Sequence, residues 1–444
     1  MRPKTGVLPG DYHLKRKKIP FFELSVIIDC MLNRVVVTGL GVIAPNGNEI
    51  KSFWNNIVHG DTVVNKITRF DADLFRTHFA SEIPHFDAAC YFDKGLIKKT
   101  DLFTQYAIVA SDQAIKDSGF DFQKMDPFDV GVIWGSGQGG MDTFEKQVKE
   151  FVLGNGHPRF SPFLIPKFIA NMSSGMISIR NGYMGLNYTT TSACATSNTS
   201  IMDAFNYIRL GKAKIIVTGC SEAPITPAVF GGFSALKAMS TRNDDPQTAS
   251  RPFDESRDGF VMSEGAGALI LEEYEHAVKR GAKIYGEIAG ASMTADAYHM
   301  TATHPEAKGA IKAMQLALEE AKLTIQNVDY LNPHATSTPV GDISEIKAIS
   351  SLTGSGKNKL LISATKSITG HLLGAAGVIE AIISLMAMKD NIVPPTINTT
   401  VLDPAIPTNL NIVIKEAINA KINVTLSNTF GFGGHNATVI FKKI

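Results

Sequence analysis

The chain has 444 residues, 44% hydrophobic and 19% charged, enough for two or three domains or one large duplicated fold with a substantial core. Its 43 Lys and Arg stand against 42 Asp and Glu, which leaves no electrostatic case for nucleic acid or an anionic membrane as the main partner. Four widely spaced cysteines, Cys30, Cys90, Cys194 and Cys220, fit neither a zinc pattern nor a disulfide scaffold and point to a reducing, cytoplasmic setting.

Residues 1–30 carry KRKK ahead of an apolar stretch, but Pro20, Glu23 and Asp29 interrupt that stretch and no small-residue cleavage site follows. They read as a leader or extension outside the fold, with Met31 as the natural start. No apolar run elsewhere is long enough to span a bilayer.

From Met31 onward, short β-rich runs alternate with helical stretches, the pattern of a layered α/β protein. RVVVTGLGV (34–42) predicts a buried strand ending in glycines. Residues 101–118 predict a helix, with Thr100 or Asp101 as N-cap and Gly119 as the stop. VGVIWGSGQGG (130–140) predicts a strand entering a glycine loop, and AKIIVTG (213–219) another strand. Ile311, Met314, Leu318 and Ala321 mark one face of a helix. VDYLNPHATST, LLISATKSITG and NVTLSNTFGFGG each read as a strand leaving into a loop. The polar segment 240–259 reads as a long loop, either lining a site or looping into solvent.

TTTSACATSNTSIMDAFNYI and LISATKSITGHLLGAAGVIEAII share a plan: strand, small-residue turn, apolar helix. Asp203 follows Cys194 by nine residues, and Glu380 follows His371 by nine. That register sets Cys194 and His371 at matching places in two halves related by a pseudo-twofold.

Cys90 and Cys220 read as ordinary small core residues. Cys194 differs in lying where a strand gives way to a helix, so unpaired N–H groups and the helix dipole favour its thiolate. Ala193 and Ala195 leave room for a substrate carbonyl to reach the sulfur. His334 and His371 each follow a predicted strand, at the end where α/β folds gather their sites. Lys366 precedes His371 by five residues. Glu380 falls in an apolar helix, where a carboxylate needs a partner such as Lys366 or a loop N–H. The loop SNTFGFGGHN (427–436) lacks the lysine and spacing of a nucleotide P-loop. One of its N–H groups can complete an oxyanion hole with that of Cys194.

Taken in order, VVVTGLG, TSACATS, ASRPFDESRDGFVMSEGAGALILE, PHATSTPVGD, KSITGHLLGAAG and SNTFGFGGHN make residues 31–444 resemble the β-ketoacyl-acyl carrier protein synthases, most closely the elongating synthase II type. The resemblance implies an α/β, thiolase-like, duplicated five-layer αβαβα fold, with an N-terminal half (31–282) and a C-terminal half (283–444). It implies a cytoplasmic homodimer and a ping-pong decarboxylative condensation, an acyltransferase activity of fatty acid biosynthesis. Cys194 holds the acyl group. His334 and His371 stabilise the enolate of the malonyl thioester. Lys366 and Glu380 support them electrostatically. The N–H groups of Cys194 and Phe432 form the oxyanion hole, and Phe432 with Phe430 forms a gate. Thr336 and Thr338 contact the phosphopantetheine arm, and Gln138 lies where an apolar residue often lines the distal acyl pocket. Lys98, Lys99 and Lys237 fall where basic residues dock the acidic acyl carrier protein. The chemistry implies no metal and no cofactor beyond that carrier's arm. The usual HGTST reads HATST here, one added methyl at Ala335. His435 is given no role.

The nearest rival is a ketosynthase of a specialised polyketide or polyene pathway with the same chemistry. A degradative thiolase calls for a second cysteine in the last glycine loop, and none is there. A cysteine hydrolase and a non-enzymatic carrier-binding module are the readings from other classes. Two loop histidines plus Lys366 favour enolate stabilisation over a single general base.

Overall fold

The computed structural model describes residues 32–121, 124–356 and 358–444, so the expectation for residues 1–30 falls outside the described residues. Eleven strands join into one sheet: β1 (Val35–Ile43), β2 (Val130–Gly135), β3 (Asn187–Thr190), β4 (Ile215–Glu222), β5 (Gly265–Glu273), β6 (Gly286–Ala295), β7 (Tyr330–Asn332), β8 (Leu361–Ile362), β9 (Asn411–Ile412), β10 (Val424–Gly431) and β11 (His435–Lys442). Their order is β9-β8-β7-β10-β11-β6-β1-β5-β4-β2-β3.

The ladder senses carry the duplication. In the first half β1, β5 and β4 pair antiparallel, then β4, β2 and β3 pair parallel. In the second half β6, β11 and β10 pair antiparallel, then β10, β7 and β8 pair parallel. The halves meet where β1 and β6 pair antiparallel over Val35–Val37.

Helices cover both faces of each half. Helix α1 (Leu102–Asp117) packs Phe103, Tyr106 and Ile108 against Val132, Trp134 and Ile270 on the outer face of the first half. Its N-cap is Asp101, one of the two residues expected, and Gly119 follows its end in the left-handed region. Helices α3 (Lys308–Glu320) and α4 (Pro339–Thr353) cover the outer face of the second half, with Met314, Leu318 and Ile346 against Leu426 and Ile440. Between the two halves lie α2 (Thr196–Arg209) and α5 (Ala376–Asp390), packed among Leu269, Leu271, Val439 and Phe441. Side chains alternate along a strand, so on β5 Leu269 and Leu271 face the central helices while Ala268 and Ile270 face α1. The result is the five-layer αβαβα arrangement.

Every residue of α5 from Ala376 to Met388 is buried, which is why its sequence shows no amphipathic stripe. Helices α2 and α5 cross closely at Gly377. A β-carbon there would stand 2.7 Å from Asn198 Oδ1 and 3.0 Å from the Ser197 β-carbon.

The repeat holds as strand, turn and helix, but the residue register does not. Helix α2 begins two residues after Cys194, whereas a 3-10 turn (Leu373–Ala375) separates His371 from α5. Asp203 accordingly bonds the Tyr188 hydroxyl at 3.0 Å, while Glu380 meets Lys366 in the core.

The 240–259 loop divides: residues 241–248 run over the surface, as one of the two readings expected, while residues 249–254 are buried. Arg251 N–H donates to Ser337 Oγ at 3.0 Å, and Gly259 N–H donates to the Ser337 carbonyl at 3.1 Å. Arg257 reaches the carbonyls of Thr338 and Pro339. The loop braces the turn after His334 from behind.

Candidate active site

Cys194 sits on a turn between β3 and α2, just before the helix N-cap, Ala195. Ala193 adopts φ +51°, a left-handed conformation costly for a residue with a β-carbon. The turn thrusts Cys194 toward a cavity of about 310 Å³ shared with His334, His371, Thr336, Thr338, Phe430 and Phe432. Loops from both halves therefore meet at one sulfur. His371 Nε2 lies 3.2 Å from Cys194 Sγ. The imidazoles of His334 and His371 stand edge to face, centroids 5.3 Å apart.

Burial pushes the Cys194 thiol up to about 12, against the pull of Lys366 and of its own backbone N–H. Desolvation outweighs what the helix terminus and its N–H groups offer a thiolate, with Glu222 and Glu380 adding to the rise. The resting group is a thiol with a ring nitrogen beside it. Burial and the Lys366 charge hold both histidines well below their ordinary range, so both are neutral. Each Nδ1 is buried without a hydrogen-bond partner among the described residues, which leaves Nε2 as the nitrogen turned to chemistry.

Lys366 and Glu380 form an ion pair with both side chains buried. Burial raises the Glu380 carboxyl to about 7, opposed by Lys366. This is the partner that a carboxylate in an apolar helix requires.

The His334 turn is held by two carboxylates that sequence reasoning missed. Glu345, on α4, accepts N–H bonds from His334 at 3.0 Å and Ala335 at 2.8 Å, and its third donor is Asn428 Nδ2 at 3.0 Å. Burial raises it to about 7, against those donors. Asp342 accepts from Thr338 N–H at 3.3 Å and Phe253 N–H at 3.0 Å, and pairs with Arg257 at 3.2 Å. The signal in the sequence was two acids three apart on a helix directly after the histidine turn. The extra methyl of Ala335 is buried and displaces none of these bonds.

The glycine loop 431–434 closes directly over the nucleophile. A β-carbon at Gly431 would lie 2.9 Å from the Cys194 nitrogen. Phe432 borders the cavity and tilts against Phe233 at 6.1 Å. Phe430 is fixed in β10, buried and 5.8 Å from the His334 ring. The hydroxyls of Thr336 and Thr338 stand 3.2 Å apart on the cavity wall. Gln138 does not line this cavity. Lys98 and Lys99 end a short exposed helix, and Lys237 is exposed beside Arg76 and Thr241.

A cysteine at a strand-to-helix turn, faced by two neutral histidines inside a duplicated αβαβα fold, defines a thiolase-like condensing enzyme. Residues 32–277 match the model for the β-ketoacyl synthase N-terminal domain, and residues 285–400 match that for the C-terminal domain. The 3-oxoacyl-[acyl-carrier-protein] synthase 2 of Staphylococcus aureus (strain COL) is 48% identical over 410 residues, 92% of this chain and 98% of that protein. The protein of the same name from Synechocystis sp. is 46% identical over the same shares of both chains. Among solved structures, a β-ketoacyl synthase from Burkholderia phymatum STM815 superposes with a TM-score of 0.86 at 33% identity, over 93% of this chain and all of that one. A type II polyketide ketosynthase, solved with its acyl-carrier protein and a hexaketide, gives 0.86 at 30% identity over the same shares. The chain belongs to the β-ketoacyl synthase family. It is an acyltransferase of the fatty-acid-elongating, synthase 2 kind.

Proposed function

We propose that Cys194 carries the growing acyl chain and that acyl carrier protein delivers both substrates. The thiol passes its proton to His371 Nε2 as sulfur attacks the incoming acyl thioester. A new C–S bond forms, the carrier's thiolate leaves, and the proton returns to it. Malonyl-carrier protein then loses CO2. With the thiol proton gone to the leaving carrier, His371 exchanges its remaining ring proton from Nδ1 to Nε2 through water, and His334 and His371 then donate Nε2–H bonds to the thioester oxygen as it becomes an enolate, strongest when the charge is largest. The enolate carbon attacks the Cys194 thioester, the C–S bond breaks, the released thiolate takes up a proton, and the product is a β-ketoacyl thioester two carbons longer. The N–H groups of Cys194 and Phe432 hold the oxyanion in both acyl-transfer steps. Lys366 keeps the histidines neutral, and Glu380 balances its charge. Thr336 and Thr338 receive the phosphopantetheine arm, and Phe432 gates the cavity. The scheme uses no metal and no further cofactor.

The observation that carries this reading is the 3.2 Å approach of His371 Nε2 to the sulfur with His334 beside it. The carrier as partner is supported by the names of the closely similar synthases and by the polyketide ketosynthase solved with its carrier. Exposed Lys98, Lys99 and Lys237 are the docking residues in this scheme. Identities of 48% and 46% to the two 3-oxoacyl-[acyl-carrier-protein] synthase 2 proteins, against 30% to the polyketide enzyme, favour fatty acid elongation over the specialised pathway. A homodimer is part of the proposal. Among the described residues the edge strand β3 has a free side, and Phe144, Ile165, Ile169 and Met184 expose apolar surface nearby in sequence. The test is a pair of variants. Cys194→Ala abolishes both acyl loading and elongation, while Cys194→Gln, whose amide mimics the thioester, retains malonyl decarboxylation. Elongation by the alanine variant refutes the assignment.

A further inference from the structure

One buried acid beside the nucleophile has no part in that scheme. Glu222 ends β4, is fully buried, and has no ion-pair partner among the described residues. Its Oε1 accepts the Gly137 N–H at 2.6 Å, and the backbone of Gly374 packs against the same oxygen. Its Oε2 is buried with no hydrogen-bond partner. The carboxyl is thus held by loop backbone alone, from two separate loops.

Those loops flank the nucleophile turn. β-Carbons built at Gly137 and Gly374 would lie 3.9 Å and 3.4 Å from the Ala193 carbonyl oxygen. The Gly137 β-carbon would also stand 2.9 Å from Glu222 Oε1, and that of Gly374 would press on the same oxygen. Ala193 is the left-handed residue immediately before Cys194. Such a conformation persists only where the surroundings over-determine it. Gly374 lies three residues after His371, on the loop that leads from that histidine into α5.

We propose that Glu222 is a positioning residue for acyl transfer: by accepting the Gly137 N–H and packing against Gly374 it clamps two loops around the Ala193–Cys194 turn. It sets where the sulfur stands relative to an incoming thioester. Burial raises the carboxyl to about 8, opposed by backbone N–H groups, so at neutral pH the site holds chiefly an uncharged acid. An uncharged clamp suits a neighbour whose thiolate must form, since a charge on Glu222 pushes the thiol up.

The inference rests on Cys194 being the acylated residue, and the experiment separates the two. Single-turnover acylation of Cys194 by an acyl-carrier thioester is followed by intact-protein mass spectrometry. Malonyl decarboxylation is measured in the Cys194→Gln background. Glu222→Ala lowers acylation by about 10- to 100-fold, the scale of a misplaced reacting atom, while decarboxylation changes less than about threefold. Glu222→Gln, whose amide oxygen accepts the same N–H, restores acylation. Gly137→Ala leaves the carboxyl in place but drives a methyl into it, and gives the same selective loss; it serves also if Glu222→Ala does not fold. Wild-type acylation rates in Glu222→Ala or Gly137→Ala overturn the proposal. So does an equal fall in both half-reactions that glutamine does not restore. A wild-type chain that takes no acyl group on Cys194 refutes the acyl-transfer reading instead.

Discussion

At the scale of single residues, the proposed scheme gives two similar imidazoles different tasks. His371 touches the sulfur and His334 does not, although both rings are neutral and share the Lys366 field. His334→Ala therefore cuts malonyl decarboxylation by about 100- to 1,000-fold, the usual loss for one oxyanion donor, and spares acyl loading. His371→Ala lowers both half-reactions, because it also removes the acceptor for the thiol proton. Rapid-quench kinetics of the two half-reactions decide this, and equal profiles for the two variants would contradict it. Both histidines and Cys194 were legible in the sequence, through residue type and placement at strand ends. The state of the thiol was not. A helix terminus is visible in a sequence, but the burial that outweighs it depends on loops from both halves.

Among the elements, α5 and the α4 turn matter most to the site. Lys366 enters just before α5 and meets Glu380 from within it, both sealed in the core. Removing one member of a buried pair strands the other charge. Lys366→Ala thus costs about 3–5 kcal/mol of unfolding free energy, read by chemical denaturation. Glu380→Gln strands the buried Lys366 ammonium in turn and is destabilising in the same way. Gly377→Ala forces a methyl into Asn198 and Thr429 at the α2–α5 crossing, and costs about 1–3 kcal/mol as an overpacked core does. Stability unchanged in either Lys366→Ala or Gly377→Ala would contradict the packing described. Strand, helix and loop succession was legible here because β-rich runs and glycine turns are local signals. The register between the halves was not, because a 3-10 turn adds residues before α5 without any break in the apolar pattern. The carboxylates Glu345 and Glu222 were hidden for a related reason. Their partners are backbone N–H groups, which leave no mark on a sequence.

For the whole molecule, the buried acids set a pH dependence with a definite sign. Burial raises Glu264, Glu345 and Glu380 to about 7 and Glu222 to about 8, while unfolded glutamates titrate near 4.3. Raised carboxyls contribute stability that is full below the unfolded value and is lost as pH rises through the folded one. The depressed histidines act the other way, but only below about 6.5, where the unfolded rings begin to charge. Between pH 6.5 and 8.5 the acids act alone, so unfolding free energy falls as pH rises, and Glu222→Gln flattens the upper part of that fall. Denaturant titrations across the range check it; stability that climbs with pH would contradict the burial of these groups. The central claim concerns one sulfur shared by both halves of the molecule, and one measurement meets it most directly. The protein is incubated with an acyl-carrier thioester and then with malonyl-carrier protein, under intact-mass and peptide mass spectrometry. The account predicts an acyl mass on the peptide containing Cys194, its disappearance when malonyl-carrier protein is added, and a β-ketoacyl product two carbons longer. An adduct on any other residue, or release of free acid with no β-keto product, would contradict it.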